Sequence, residues 1–289
     1  MDTGDVGPGR MGGMIDALRA SDEPLGPDQY LVVSTHAWAM RSHSFLRGRS
    51  GTPTVRYMLL EELRTDRWVP AQPSRDWIGH QRRTGRRWWL LGSEEEARAD
   101  GIDLDHQDHA GRVRAPYGDF RAERENRRPG PRPGSWRAPS PDFLAALPRD
   151  PDRLIARLEI DHPRTRFSHP LTHVADALRS CLFPADLRTV LYRGLLQRPE
   201  IDIDEHAVDL DGRLCVALAC DVGARTRELL IDPASGQYAG ERETAGNNPL
   251  WPVEPGTVVT SSATLTAITD GPGELPEHLA EHTRDGLPT

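Results

Sequence analysis

Apolar positions in the first third of the chain recur with a period of two. Tyr30, Leu31, Val32 and Val33, followed by His36 and Trp38, form a β-rich run bounded by Pro27, which predicts a first strand from Gln29 to Met40. Val55, Tyr57, Leu59 and Leu63 alternate through Arg64, and the opposite face mixes Arg56 and Glu62 with Met58 and Leu60. That alternation predicts a second long, half-buried strand. A third and a fourth strand are expected around a turn at Arg82 to Gly85, ending in Arg87, Trp88, Trp89 and Leu90. Adjacent tryptophans on a strand point to opposite faces, so apolar material is expected on both sides of the sheet there. Residues 92–141 lose periodicity and fill with Glu, Asp, Arg, Pro and Gly, which predicts a long irregular insertion.

Helical spacing follows. Asp150 is a suitable N-cap, Pro151 suits the first helical position, and Leu154, Ile155 and Leu158 share a face. Val174, Ala177, Leu178, Cys181 and Leu182 form a second apolar stripe, and Pro184 opens a third helix carrying Leu187, Val190, Leu191 and Leu195. Strands then return. Ile201 to Leu210 and Arg213 to Asp221 flank Asp211-Gly212, read as a two-residue hairpin turn. Arg225 to Ile231 and Gln237 to Glu243 surround a turn that runs from Asp232-Pro233 to Ser235-Gly236, and Thr257 to Ile268 is a last β-branched strand. The pattern as a whole predicts one α+β domain over residues 29–269, a curved antiparallel sheet covered by helices, between flexible tails at 1–28 and 270–289.

Composition narrows the chemistry. All 36 basic residues are arginine. Without lysine there is no Schiff-base amine, no phosphate-loop lysine and no Ser-Lys nucleophile pair. A net charge of −8 lacks the broad basic footprint of a nucleic-acid binder, and neither basic stretch, Arg82 to Arg87 or Arg121 to Arg132, is expected on a helix. Cys181, Cys215 and Cys220 form neither a disulfide framework nor a metal knuckle, and are expected to be buried, unpaired thiols. No apolar window has the length of a membrane span, and residues 1–28 lack a signal-peptide core. Taken literally, with Met1 as the start, the chain is expected in the cytoplasm.

The order of several segments is also informative. Gln29-Tyr-Leu-Val-Val, Trp68-Val-Pro-Ala, Arg87-Trp-Trp-Leu, the run from Leu147 to Leu158, Leu187-Arg-Thr-Val-Leu-Tyr-Arg, Glu228 to Gly236 and Gly240-Glu-Arg resemble, in matching order over about residues 14 to 269, an actinobacterial family of uncharacterised single-pass membrane proteins often encoded beside sigma factors. The resemblance implies an extracytoplasmic domain akin to the carrier LolA and the sensor RseB, an open half-barrel with helices on its concave face and an apolar cavity between. It implies no catalytic residues. The family's membrane helix would end about where this sequence begins, so an anchored, extracytoplasmic location is expected if an upstream segment was removed.

Some motifs fit by letter and fail on context. His278-Leu-Ala-Glu281-His282 has the spacing of a helical zinc site but lies in the expected tail, where a rigid second shell is hard to build. His106 and His109, with Asp105 and Asp108, are weak metal candidates within the insertion. His169 and His173 stand four apart, yet Pro170 places His169 outside the helix, where a capping role is favoured. Gly7, Gly9 and Gly12 follow no strand, so the dinucleotide reading fails, and Ser261 and Ser262 lack a nucleophile elbow. No cofactor is expected.

The expected function is therefore non-catalytic binding or sensing of a lipid, lipopeptide or other apolar small molecule, with Trp38, Tyr57, Met58, Trp88 and Trp89 lining its cavity. The alternative is a cofactor-independent cyclase or isomerase that folds a polyketide-like substrate in the same cavity. In that case His36 and Glu62, which interrupt or border apolar strand faces, are the acid and base candidates. A protein partner at the sheet edges or the arginine-rich loop is a third, separate expectation.

Overall fold

The computed structural model describes residues 20–46, 53–105, 111–122, 125–162, 168–247, 252–273 and 275–280. Nine strands form one antiparallel sheet: β1 (Tyr30–Leu46), β2 (Pro53–Pro70), β3 (Asp76–Leu91), β4 (Gly111–Pro116), β5 (Asp202–Val208), β6 (Leu214–Asp221), β7 (Arg225–Ile231), β8 (Tyr238–Ala245) and β9 (Val258–Thr269). Their order is β4-β3-β2-β1-β9-β8-β7-β6-β5, so the first strand lies inside the sheet and pairs with the last, joining the two meanders. Among the described residues six helices accompany them: α1 (Glu94–Ala99), α2 (Pro141–Ala146), α3 (Pro151–Asp161), α4 (Pro170–Leu178), α5 (Ala185–Leu196) and α6 (Glu277–Ala280). The architecture is α+β, as the pattern predicts.

The period of two divides the sheet into faces. Leu31 and Val33 of β1 join Leu218, Leu229, Ile231 and Tyr238 beneath the apolar stripes of α3, α4 and α5. Tyr30 and Val32 point the other way, to a smaller cluster with Trp68 and Ile78 that Leu279 of α6 covers. The helices start where the sequence places their caps. The Asp150 carboxylate accepts from the Arg153 N–H at 3.0 Å, and His169 Nδ1 accepts from the Leu171 N–H at 3.2 Å.

Five expectations change. The segment Arg82 to Gly85 is not a turn between two strands. β3 runs through it for 16 residues, and the register passes from Leu63↔Arg83 to Glu61↔Arg87, leaving Glu62 opposite a bulge at Thr84, Gly85 and Arg86. Gly85, at φ +85°, satisfies a bulge as well as a turn. The insertion at 92–141 is partly regular. Ser93 accepts from the Glu96 N–H to start α1, and β4 pairs with β3. The β5–β6 turn spans three residues rather than two, with the Gly212 N–H donating to Asp209 O and Gly212 left-handed at φ +81°. The end of the N-terminal tail is pinned, because the Asp22 carboxylate accepts from Ala185 N at 2.7 Å and so caps α5 in place of Pro184, which offers no side-chain acceptor. Nor is the C-terminal tail wholly free, because Leu279 within it is buried.

The sheet coils. Three strands separate β6 from β1, yet Asp211 in the β5–β6 turn reaches His36, and Arg213 Nη2 donates to Thr264 O on β9 at 2.8 Å. The β8–β9 pairing runs only from Arg242 to Thr244. Beyond it Gly240 turns at φ +145°, where a Cβ would collide with the Ser262 carbonyl, and the Ser262 hydroxyl replaces the ladder by accepting from the Glu241 N–H at 3.0 Å.

Candidate functional site

On the helix-bearing face α3, α4 and α5 lie over β1 and the strands of the second meander, α1 packs on Tyr57 of β2 and Trp89 of β3, and the loop after β4 covers the stretch around Arg67, Trp77 and Val113. Tyr117 and Gly118 are both left-handed, at φ 59° and 62°, which reverses the chain in the manner of a type I′ turn. Gly118 then lies against the Trp77 ring, where a Cβ would stand 2.7 Å from a ring carbon. Asp119, fully buried, accepts from Arg127 Nη2 at 2.7 Å, and Arg132 Nη2 donates to Gly118 O at 2.9 Å, so the loop is held from within. Between loop and sheet lies a cavity of about 510 Å³, walled by Trp77, Val113, Phe120 and Leu182 and bordered by Arg67 and Gln81. Its size falls within the range of small-molecule sites. A second cavity of about 560 Å³ lies nearer β9 and the β7–β8 turn, with more polar walls that include Asp22, Glu23 and Asp232. Leu182, in the α4–α5 connection, lines both. The preceding residue, Cys181, is left-handed at φ 55°, a conformation uncommon for a non-glycine residue.

The opposite face holds a knot of charge. His36 Nε2 lies 2.9 Å from Glu62 Oε1, and Nδ1 lies 2.7 Å from Asp211 Oδ1. The β3 bulge aims two more side chains at the same carboxylate: Thr84 Oγ1 donates to Glu62 Oε2 at 2.5 Å, and Arg86 Nη1 to Oε1 at 3.4 Å. Burial pushes the Glu62 carboxyl up, but the hydrogen bonds from Thr84 and His36 and the charges of Arg86 and His36 hold it below the ordinary carboxylate range. His36 and Glu62 thus converge, as an acid-base pair would. They are 4% and 2% exposed and line neither of these two cavities.

The five residues expected to line a pocket are dispersed. Trp38 and Met58 are buried in the body of the fold, and Arg86 covers the Trp38 ring at 5.5 Å. Tyr57 donates to Asp100 Oδ2 at 2.7 Å and meets Trp89 edge-on at 6.3 Å, under α1. Trp88 is 44% exposed. None of the five borders either cavity. The residues that do, above all Trp77, Phe120 and Leu182, come from three separate segments. The Gly118 contact with Trp77 has no local sequence signature beyond Tyr117-Gly118-Asp119 following a strand.

The other chemistry-bearing groups are quiet. Cys220 Sγ lies 3.3 Å from His169 Nδ1, but burial pushes the thiol up to about 12, so no thiolate is available as a nucleophile. Among the described residues no group of three or more His, Cys, Asp or Glu is placed to hold a metal ion. His106 and His109 lie outside the described residues, as do Glu281 and His282 of the His278 to His282 motif. Among the described residues no helix is long and apolar enough to cross a membrane.

His162 and His173 stack at 4.2 Å beside Trp136. Desolvation, and then the neighbouring His162, lower His173 to about 4. The unfolded chain binds that proton near pH 6.5, so the stabilisation linked to His173 is whole above about 6.5 and is lost as pH falls toward 4. His173→Gln is expected to narrow the difference between the urea midpoints at pH 7.5 and pH 5. An unchanged difference would remove His173 from this role.

Comparison with protein-family models, with curated proteins and with solved structures finds no match to this chain.

Proposed function

We propose that this protein binds an apolar small molecule in the cavity beneath the 117–138 loop. The supporting observation is the cavity itself: about 510 Å³, with aromatic and aliphatic walls from Trp77, Phe120, Val113 and Leu182 and a few polar groups at its border. An antiparallel sheet with helices on one face is also the coarse architecture implied by the resemblance to LolA- and RseB-like domains, and that relationship is part of the proposal. The alternative of acid-base catalysis by His36 and Glu62 draws less support, because both groups already spend their hydrogen bonds on each other and on Asp211 and Thr84.

Titration with a fluorescent lipid analogue tests the reading. Trp77→Ala removes one wall and is expected to weaken binding by about tenfold, in line with the loss of a large aromatic contact. Trp88→Ala, on the opposite face and already exposed, is expected to change it less than about twofold. Equal effects of the two substitutions, or no binding by the unaltered protein, would refute the assignment.

A further inference from the structure

Other arginines that reach into this fold are paired. Arg188, 1% exposed, uses all five of its N–H donors: Nε to Gly236 O, Nη1 to Asp22 Oδ1 and Phe183 O, Nη2 to Ser21 O and Ser235 O. Arg179 forks onto Glu241 at 2.6 and 2.8 Å. Arg67 is different. It stands on β2, register-paired with Gly79, on the side of the sheet that carries the cavity, and its side chain forms part of the cavity wall. Among the described residues it has neither a hydrogen-bond acceptor nor an ion-pair partner. It lines the cavity, and its guanidinium lies deep enough for desolvation to lower its pKa. The two other arginines at the cavity are engaged, Arg132 with Gly118 O and Arg137 with Asp176. Asp66, also at its border, is committed to Ser34 at 2.7 Å and to Arg82 at 3.5 Å.

A guanidinium drawn out of water without an acceptor is costly, and its planar fork of donors matches the two oxygens of a carboxylate. The walls that meet it are apolar. One unspent cation balances a monoanion, whereas a phosphate monoester would leave a second charge uncompensated against Trp77, Phe120 and Leu182. We infer that the ligand is an apolar organic acid, its carboxylate docked on Arg67 and its hydrocarbon body against those side chains. The inference rests on the apolar-ligand reading above and adds the chemical class of the head group.

The test compares cis-parinaric acid with its methyl ester, both below their micelle-forming concentrations, on the full chain and on Arg67→Met. The acid is expected to bind the unaltered protein at least about tenfold more tightly than the ester, the size of one charge-assisted fork, and Arg67→Met is expected to erase that preference while leaving the ester's affinity within about twofold. Should Arg67→Met not fold, Arg67→Gln, which keeps donors but no charge, makes the same comparison. Acid and ester binding equally to the unaltered protein would overturn the carboxylate assignment while leaving an apolar cavity. A preference that survives the loss of Arg67 would overturn it as well. Failure of both probes to bind would overturn this inference and the apolar-ligand reading together.

Discussion

Replacing Arg188 by methionine is expected to destabilise the fold by about 3 to 5 kcal/mol, because several hydrogen bonds from one buried charged group are lost at once. The size follows from what the guanidinium joins. Asp22 belongs to the N-terminal segment, Phe183 to the α4–α5 connection, and Ser235 and Gly236 to the β7–β8 turn, and four carbonyls and one carboxylate converge on its five donors. Methionine fills much of the volume but offers no donor, so Phe183 O and Ser21 O lose theirs, while Gly236 O keeps the Tyr192 hydroxyl, Ser235 O the Ser21 N–H and Asp22 the Ala185 N–H. The exposed Arg114–Asp76 pair is the contrast, since Arg114→Met is expected to change stability by less than about 1 kcal/mol. Urea unfolding measures both. Equal shifts would show that the buried network carries no more than a surface pair.

His36→Leu is expected to cost about 3 kcal/mol for a related reason. It strips a partner from Asp211 on one side and Glu62 on the other, both buried, and cuts the link between the β5–β6 turn and the central strands. The penalty resides in the orphaned carboxylates. Adding Glu62→Gln to His36→Leu is therefore expected to cost less than the sum of the single substitutions, since part of the buried charge goes with it. Additive losses would refute coupling through the ring.

The elements with strong periodicity were legible. The alternation of β1 and β2, the Asp150-Pro151 start of α3 and the turn closed by Gly236 are local patterns, and each holds in the fold. What was not legible depends on partners far along the chain. Gly85 is compatible with a turn or a bulge, and only the 18-residue length of β2 opposite it decides for one continuous strand. Ser93 caps α1 by accepting from the Glu96 N–H while its hydroxyl donates to Glu96 Oε2, and the Ser-x-x-Glu spacing was a signal available within the apparently irregular 92–141 segment. For the sites, His36 and Glu62 are 26 residues apart on adjacent strands and could be guessed as neighbours, but Asp211 lies 175 residues from His36 and meets it only because the sheet coils. The tryptophans misled for a physical reason. Trp38, with Arg86 over its ring, fills the body of the fold, and the aromatic walls of the cavity come instead from Trp77 and from Phe120 in the loop.

Native mass spectrometry of the full chain with added cis-parinaric acid tests the central claim most directly, set beside Val113→Trp. Val113 is 44% exposed at the cavity wall, so the larger side chain can be accommodated while occupying the space a ligand needs. A one-to-one adduct on the unaltered protein that is lost in the folded Val113→Trp variant is the result expected of a ligand held beneath the 117–138 loop. An adduct of equal intensity on both proteins, or none on either, would contradict it.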